Sequence, residues 1–138
     1  MSGFLLDTNV VSELRKGSRA DAGLRAWLAG HIDDDFWLSV LVTGELSRGV
    51  KLLARRDAAS AAVLGRWLDD TIHEFSDRIL PVTLGISQVW AGLSVPDPVP
   101  VVDGLLAATA LEHGLTLVTR NVADVARTGV LFVNPFAR

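Results

Sequence analysis

The chain has 138 residues, 49% of them hydrophobic, with 13 basic against 16 acidic side chains and a formal net charge of −3. This length carries one domain with a real core, and the absence of cysteine excludes disulfides, thiolate metal sites and a cysteine nucleophile. No apolar run approaches the roughly 20 residues of a membrane span and no secretory signal opens the chain, so no membrane association and a cytoplasmic location are expected.

Residues 3–6 read as a buried strand that ends on Asp7, and a helix follows over 8–16. Ser18 is expected to cap a second helix over 19–30, before a polar loop at 31–35. Residues 36–39 form a short strand and 41–56 a helix. Asp57 then caps a long helix to residue 76, because alanine and leucine dominate it and no proline interrupts. A strand at 79–82 and a helix at 84–95 lead to "PDPVP", whose three prolines cannot sit in a helix interior. The helix at 102–113 ends on Gly114, and strands at 116–119 and 131–133 complete the chain. Apolar strands alternating with helices predict an α/β class. A single domain over 1–138 is expected, with a central, mostly parallel sheet of about five short strands flanked by helices.

Most of the sixteen acids lie among polar neighbours and read as solvated, including Asp33, Asp34 and Asp35. That run lacks the alternating ligands and glycine of a calcium loop. Four acids differ. Asp7 follows "FLL", Glu45 lies inside "LVTGEL", Asp103 opens a helix after "PVV", and Asp124 sits in "NVADVA" just past "TLVT". Parallel α/β sheets hold their ligand crevice at the carboxyl ends of the strands, and a helix N-terminus favours an anion. The four acids are therefore expected to meet in one place.

Like charges so close repel and raise one another's pKa, so such a cluster needs a cation. Hard oxygen ligands suit Mg²⁺ or Mn²⁺, while histidines at 31, 73 and 113 show no zinc-ligand spacing. The competing reading makes the four acids unrelated caps or ion pairs. Thr8, Asn9, Thr119 and Asn121 flank them, either to orient carboxylates and waters or to cap helices and turns.

Glu13 reads as one half of a surface ion pair with an arginine, against a role in the site. The tryptophans at 27, 37, 67 and 90 read as core or partner interface, against stacking of bases. On the third helix Arg48, Lys51 and Arg55 fall in one narrow sector beside Glu45. Such a basic stripe serves solubility on many exposed helices. Beside an acidic metal site it favours the phosphate backbone of a nucleic acid.

"FLLDTNVVSEL", "TGEL", "VVDGLLAATALEHGLTLVTRNVADV" and "TGVLFVNPF" together resemble a PIN-domain ribonuclease, of the VapC type found as the toxin in bacterial toxin–antitoxin pairs. The resemblance runs in order from Gly3 to Phe136. It implies that Asp7, Glu45 and Asp103 are metal-binding catalytic acids, with Asp124 as the fourth or Asn121 taking part of that role. It further implies Mg²⁺- or Mn²⁺-dependent cleavage of single-stranded RNA, a homodimer, and a small antitoxin that blocks the site. Val125 departs from the family, whose members commonly carry an aromatic there. The expected mechanism places Asp7, Asp103 and Asp124 on the main ion and Glu45 on that ion or a second one, with no side-chain nucleophile.

Two rivals remain on sequence grounds. A haloacid-dehalogenase-type phosphohydrolase needs a second Asp two residues after the first, where this chain has Asn9, and no P-loop is present. A catalytically degenerate module that binds RNA or protein is the other.

Overall fold

The computed structural model describes residues 2–137. Its first half runs β1 (Phe4–Leu6), α1 (Thr8–Leu14), α2 (Ala22–Ala29), β2 (Phe36–Ser39), α3 (Val40–Ala54) and α4 (Ala58–Glu74). The second half runs β3 (Ile79–Leu80), α5 (Leu84–Leu93), α6 (Val101–His113), β4 (Thr116–Val118), α7 (Val122–Val125) and β5 (Phe132–Val133).

The strands form one sheet in the order β3-β2-β1-β4-β5, and every pairing is parallel. Helical segments between the strands return the chain to the same end each time, which is what parallel pairing requires. Phe4 stands opposite both Phe36 and Thr116, and Leu5 opposite Trp37 and Leu117. The chain builds outward from β1 to β3, then crosses to the other side of β1 to lay down β4 and β5. The gap between β1 and β4 is thus a topological switch point, where the connections diverge and leave a crevice.

The core fills from both sides of this sheet. Leu5, Leu38, Val10, Leu24, Val42 and Leu106 are fully buried. Helix α6 is enclosed nearly all round, with Gly104 and Leu106 through Ala110 buried. Gly104 admits the Trp90 indole of α5, since a Cβ there would lie 3.0 Å from Trp90 Cδ1. Trp27 packs with Phe4, Phe36 and His31 and belongs to the core, its ring stacked 4.3 Å from His31.

Several boundaries differ from the sequence reading. Asp21, not Ser18, caps α2, accepting from Leu24 N at 3.0 Å; Ser18 lies in a 3₁₀ turn at Gly17–Arg19. The same Asp21 oxygen accepts from Ala137 N at 2.8 Å, so the returning C-terminal segment selects this cap. Helices α1 and α5 stop two residues early, at Leu14 and Leu93, and β3 spans only two residues. Helix α7 was not expected. The cap at Asp57 and the left-handed Gly114, with φ of 67°, are as read.

Gly23 lies where the C-terminal segment crosses α2, and a Cβ there would meet Ala137 N at 2.5 Å and Pro135 O at 2.6 Å. Gly23→Ala is therefore expected to destabilise the fold by about 1–3 kcal/mol, the usual range for overpacking. Gly44→Ala, in open space on α3, should instead stabilise it by about 0.5–1 kcal/mol. Urea denaturation midpoints check both, and a neutral Gly23→Ala would reject the close-approach explanation.

Candidate active site

Asp7 leaves the carboxyl end of β1 at the switch point, its N–H donating to Val118 O at 2.9 Å. Only 4% of the residue is exposed. A buried carboxylate needs donors, and three reach it. Thr8 N donates to Oδ1 at 2.7 Å, while Thr119 Oγ1 at 2.6 Å and Asn9 Nδ2 at 3.2 Å donate to Oδ2. Asp7 is thus the N-cap of α1 as well as the centre of the crevice. Burial pushes its carboxyl above the ordinary range, and the nearby Glu45 charge adds to that, while the three donors pull back.

Asp103 enters from the first turn of α6, half-buried. Its pKa is pushed up to about 6, first by burial and then by the charge of Asp7. Asp124, on α7, raises it further through its charge and a hydrogen bond, whereas a hydrogen bond with the Asn121 side chain lowers it. Glu45, on the exposed side of α3, accepts from Thr8 Oγ1 at 2.5 Å. Charge links these acids in pairs, Asp7 with Glu45 and with Asp103, and Asp103 with Asp124. Asp7, Glu45, Asp103 and Asn121 line a single cleft of about 560 Å³. Asp124 reaches Asp103 without lining that cleft.

The flanking residues all bear on the acids. Thr119 donates to Asp7 and accepts from Asn121 N at 2.9 Å, and Asn9 Oδ1 accepts from Arg120 N at 3.2 Å. Asn121 occupies the N-cap position of α7 but makes no capping bond with its side chain, and lines the cleft together with Asp103. Glu13 pairs with Lys16 at 3.0 Å and accepts from Asp21 N, so its partner is a lysine rather than the expected arginine.

The donors facing the cleft are carboxylate, amide and hydroxyl oxygens, the set a hard divalent cation takes. Among the described residues no group of three His, Cys, Asp or Glu side chains is arranged to hold a metal ion, so Asp7, Asp103 and Asp124 do not form the expected three-acid set around one ion. An ion of the Mg²⁺ kind uses one or two carboxylates and keeps several waters, so Asp7 and Asp103 with the neighbouring amide and hydroxyl oxygens would be enough to hold it. The Asp7 charge that adds to the burial of Asp103 in raising its pKa is what such an ion would offset.

The expected basic residues Arg48, Lys51 and Arg55 are exposed on α3, and none of them lines the cleft. A neighbouring cavity of about 630 Å³ shares Thr8, Asn9 and Glu45 with it, and is bordered by Arg15, Lys16, Arg56 and Arg120. The sequence reading missed these four. Arg56 had a detectable signal, since eleven residues bring it back to within about 20° of Glu45 on the helical wheel.

The raised Asp103 has a consequence for stability. Between about pH 4 and 6 the folded protein holds a proton that the unfolded chain has released. Metal-free protein should therefore lose stability as pH rises through that window. Asp103→Asn removes the charge, and is expected to exceed the parent above pH 6 by about 1 kcal/mol, allowing for solvent screening. The two should converge near pH 4. Denaturation in chelator across this range checks it, and a parent curve flat from pH 4 to 6 would reject the charge network.

The family description "PIN domain" matches residues 4–129. Toxin FitB of Neisseria gonorrhoeae is 33% identical, covering 96% of this chain and 98% of its own. VapC ribonuclease Y4jK of Sinorhizobium fredii is 30% identical, covering 96% and 97%. The structure of FitAB bound to an IR36 DNA fragment superposes with a TM-score of 0.84 at 30% identity, covering 98% of this chain and 96% of that one. Family match, relatives and fold agree over nearly the whole length, and the chain belongs to the PIN domain family.

Proposed function

We propose that the protein is a Mg²⁺- or Mn²⁺-dependent endoribonuclease that cuts single-stranded RNA and acts as the toxin of a toxin–antitoxin pair. The observation that carries this reading is the buried Asp7 carboxylate at the switch point, held within range of a second acid, Asp103, whose ionisation its charge opposes. One relative bears the name of a toxin and another that of a VapC ribonuclease, which supports the same reading.

In this proposal Asp7 and Asp103 hold the ion, with Glu45 across the cleft and Asn121 and Asp124 completing the set through Asp103. When bound, the metal lowers the pKa of a coordinated water and offsets charge on the phosphate. Thr119 and Asn9 keep the Asp7 carboxylate from rotating, and Thr8 does the same for Glu45. No serine, cysteine or histidine nucleophile is needed. A cytoplasmic location, a homodimer and a small antitoxin belong to the same proposal. Exposed Leu84, Val95 and Val101 offer apolar surface to a second chain, and no helix among the described residues is long and apolar enough to cross a membrane.

Purified protein is expected to cleave single-stranded RNA with Mg²⁺ or Mn²⁺ and to be silent in EDTA, while Asp7→Asn falls to background. Equal cleavage in EDTA would sink the proposal. Thr119→Val keeps the buried shape and deletes the donor to Asp7. Its metal affinity and cleavage should both drop by about 10–100-fold, the range for residues that orient a ligand. Isothermal titration with Mn²⁺ checks the first, and unaltered affinity would reject Thr119 as an orienting residue.

A further inference from the structure

We infer that the RNA strand leaving the acidic cleft lies in the neighbouring cavity between α1, α3 and α4, where Arg15, Arg56 and Arg120 take its phosphates. This rests on the ribonuclease reading and adds a path for the substrate. The two cavities share Thr8, Asn9 and Glu45, so they form one continuous trough. A strand whose phosphate reaches Asp7 and Asp103 meets this second cavity on the α3 side of the cut.

Charge along the trough changes sign as that path requires. The cleft is acidic, whereas four cations border the neighbouring cavity. Lys16 is already engaged by Glu13 at 3.0 Å. Arg15, Arg56 and Arg120 form no ion pair among the described residues. Arg120 is fixed close to the acids, since its N–H donates to Asn9, which itself donates to Asp7. Its guanidinium lies 3.8 Å from the centroid of the Phe136 ring, which holds the charge at the edge of the trough. Arg56 lies in the turn just past the end of α3, well beyond Glu45. Arg120 thus borders the cavity near the acids, and Arg56 borders it from beyond the end of α3.

The floor between them is apolar. Leu46, Leu52, Leu53 and the half-buried Trp67 line it, and Leu52 is 47% exposed. Aromatic and apolar surface framed by arginines is what single-stranded nucleic acid uses, with bases against the floor and phosphates on the rim. Arg48, Lys51 and Arg55 border neither cavity and lie on a sector of α3 turned away from Arg56.

The experiment compares Arg15→Ala/Arg56→Ala with Arg48→Ala/Lys51→Ala/Arg55→Ala in the full chain. Binding of a short, mixed-sequence, single-stranded oligoribonucleotide is titrated against salt in EDTA. The first variant should lower the slope of log K against log salt by about 1.4, about 0.7 for each cation removed. The second should leave the slope unchanged. Arg15→Lys/Arg56→Lys keeps both charges and should restore it, which separates lost charge from lost fold. Mn²⁺ affinity should be the same in all variants.

An unchanged slope in Arg15→Ala/Arg56→Ala overturns the path, whether or not the protein cleaves RNA. The expected drop in slope with no cleavage in any metal overturns the ribonuclease reading and leaves the path standing. If that variant keeps its RNA slope but loses a co-purifying small protein, the cavity belongs to a protein partner and the path is again overturned.

Discussion

The hydrogen bond from Thr119 Oγ1 to Asp7 Oδ2, 2.6 Å across the junction of β1 and β4, is the contact on which the site depends. It spans 112 residues of sequence and lies where the sheet reverses its direction of growth. A buried carboxylate at that point is tolerable only because this hydroxyl, the Thr8 N–H and the Asn9 amide all donate to it. The same three bonds fix which way its oxygens face. In the proposed function, stability and activity therefore draw on one set of donors, and Asp7 is both helix cap and candidate metal ligand.

Asp103 is placed by a different device. Its helix is enclosed by core on nearly every side, so the first turn has little freedom to move. Gly104 lets Trp90 close against α6 immediately behind the acid. Close packing thus holds two acids near each other against their repulsion, and the pKa of Asp103 is raised first by its burial and then by the charge of Asp7. Sites of this kind are commonly less stable than they could be, because activity needs the unfavourable charge arrangement.

A second consequence of the architecture is the change of electrostatic character over a short distance. Helix α3 carries Glu45 near its start and Arg56 just past its end, on nearly the same line. Helix α1 supplies Thr8 and Asn9 at one end and leads to Arg15 and Lys16 at the other. Packing these two helices side by side aligns acid with acid and base with base. One trough results, acidic where metal chemistry is proposed and basic where a strand would leave.

The sequence by itself determined the class, the alternation of strands and helices, and the four acids, because these are local signals. A charged residue ending an apolar strand, or opening an apolar helix, stands out without knowledge of its neighbours in space. Caps such as Asp57 and Gly114 are legible for the same reason. The tertiary structure alone decided that Asp21 rather than Ser18 caps α2, since Ala137 N, 116 residues away, shares the same oxygen. It alone decided that Asn121 lines the cleft while Asp124 stands outside it. It alone set Arg15, Arg56 and Arg120 around the trough, with Arg48, Lys51 and Arg55 outside it. A helical wheel fixes angles within one helix, but which face meets the site depends on how α1, α3 and α4 pack. That packing comes from contacts between distant segments, which no local pattern encodes.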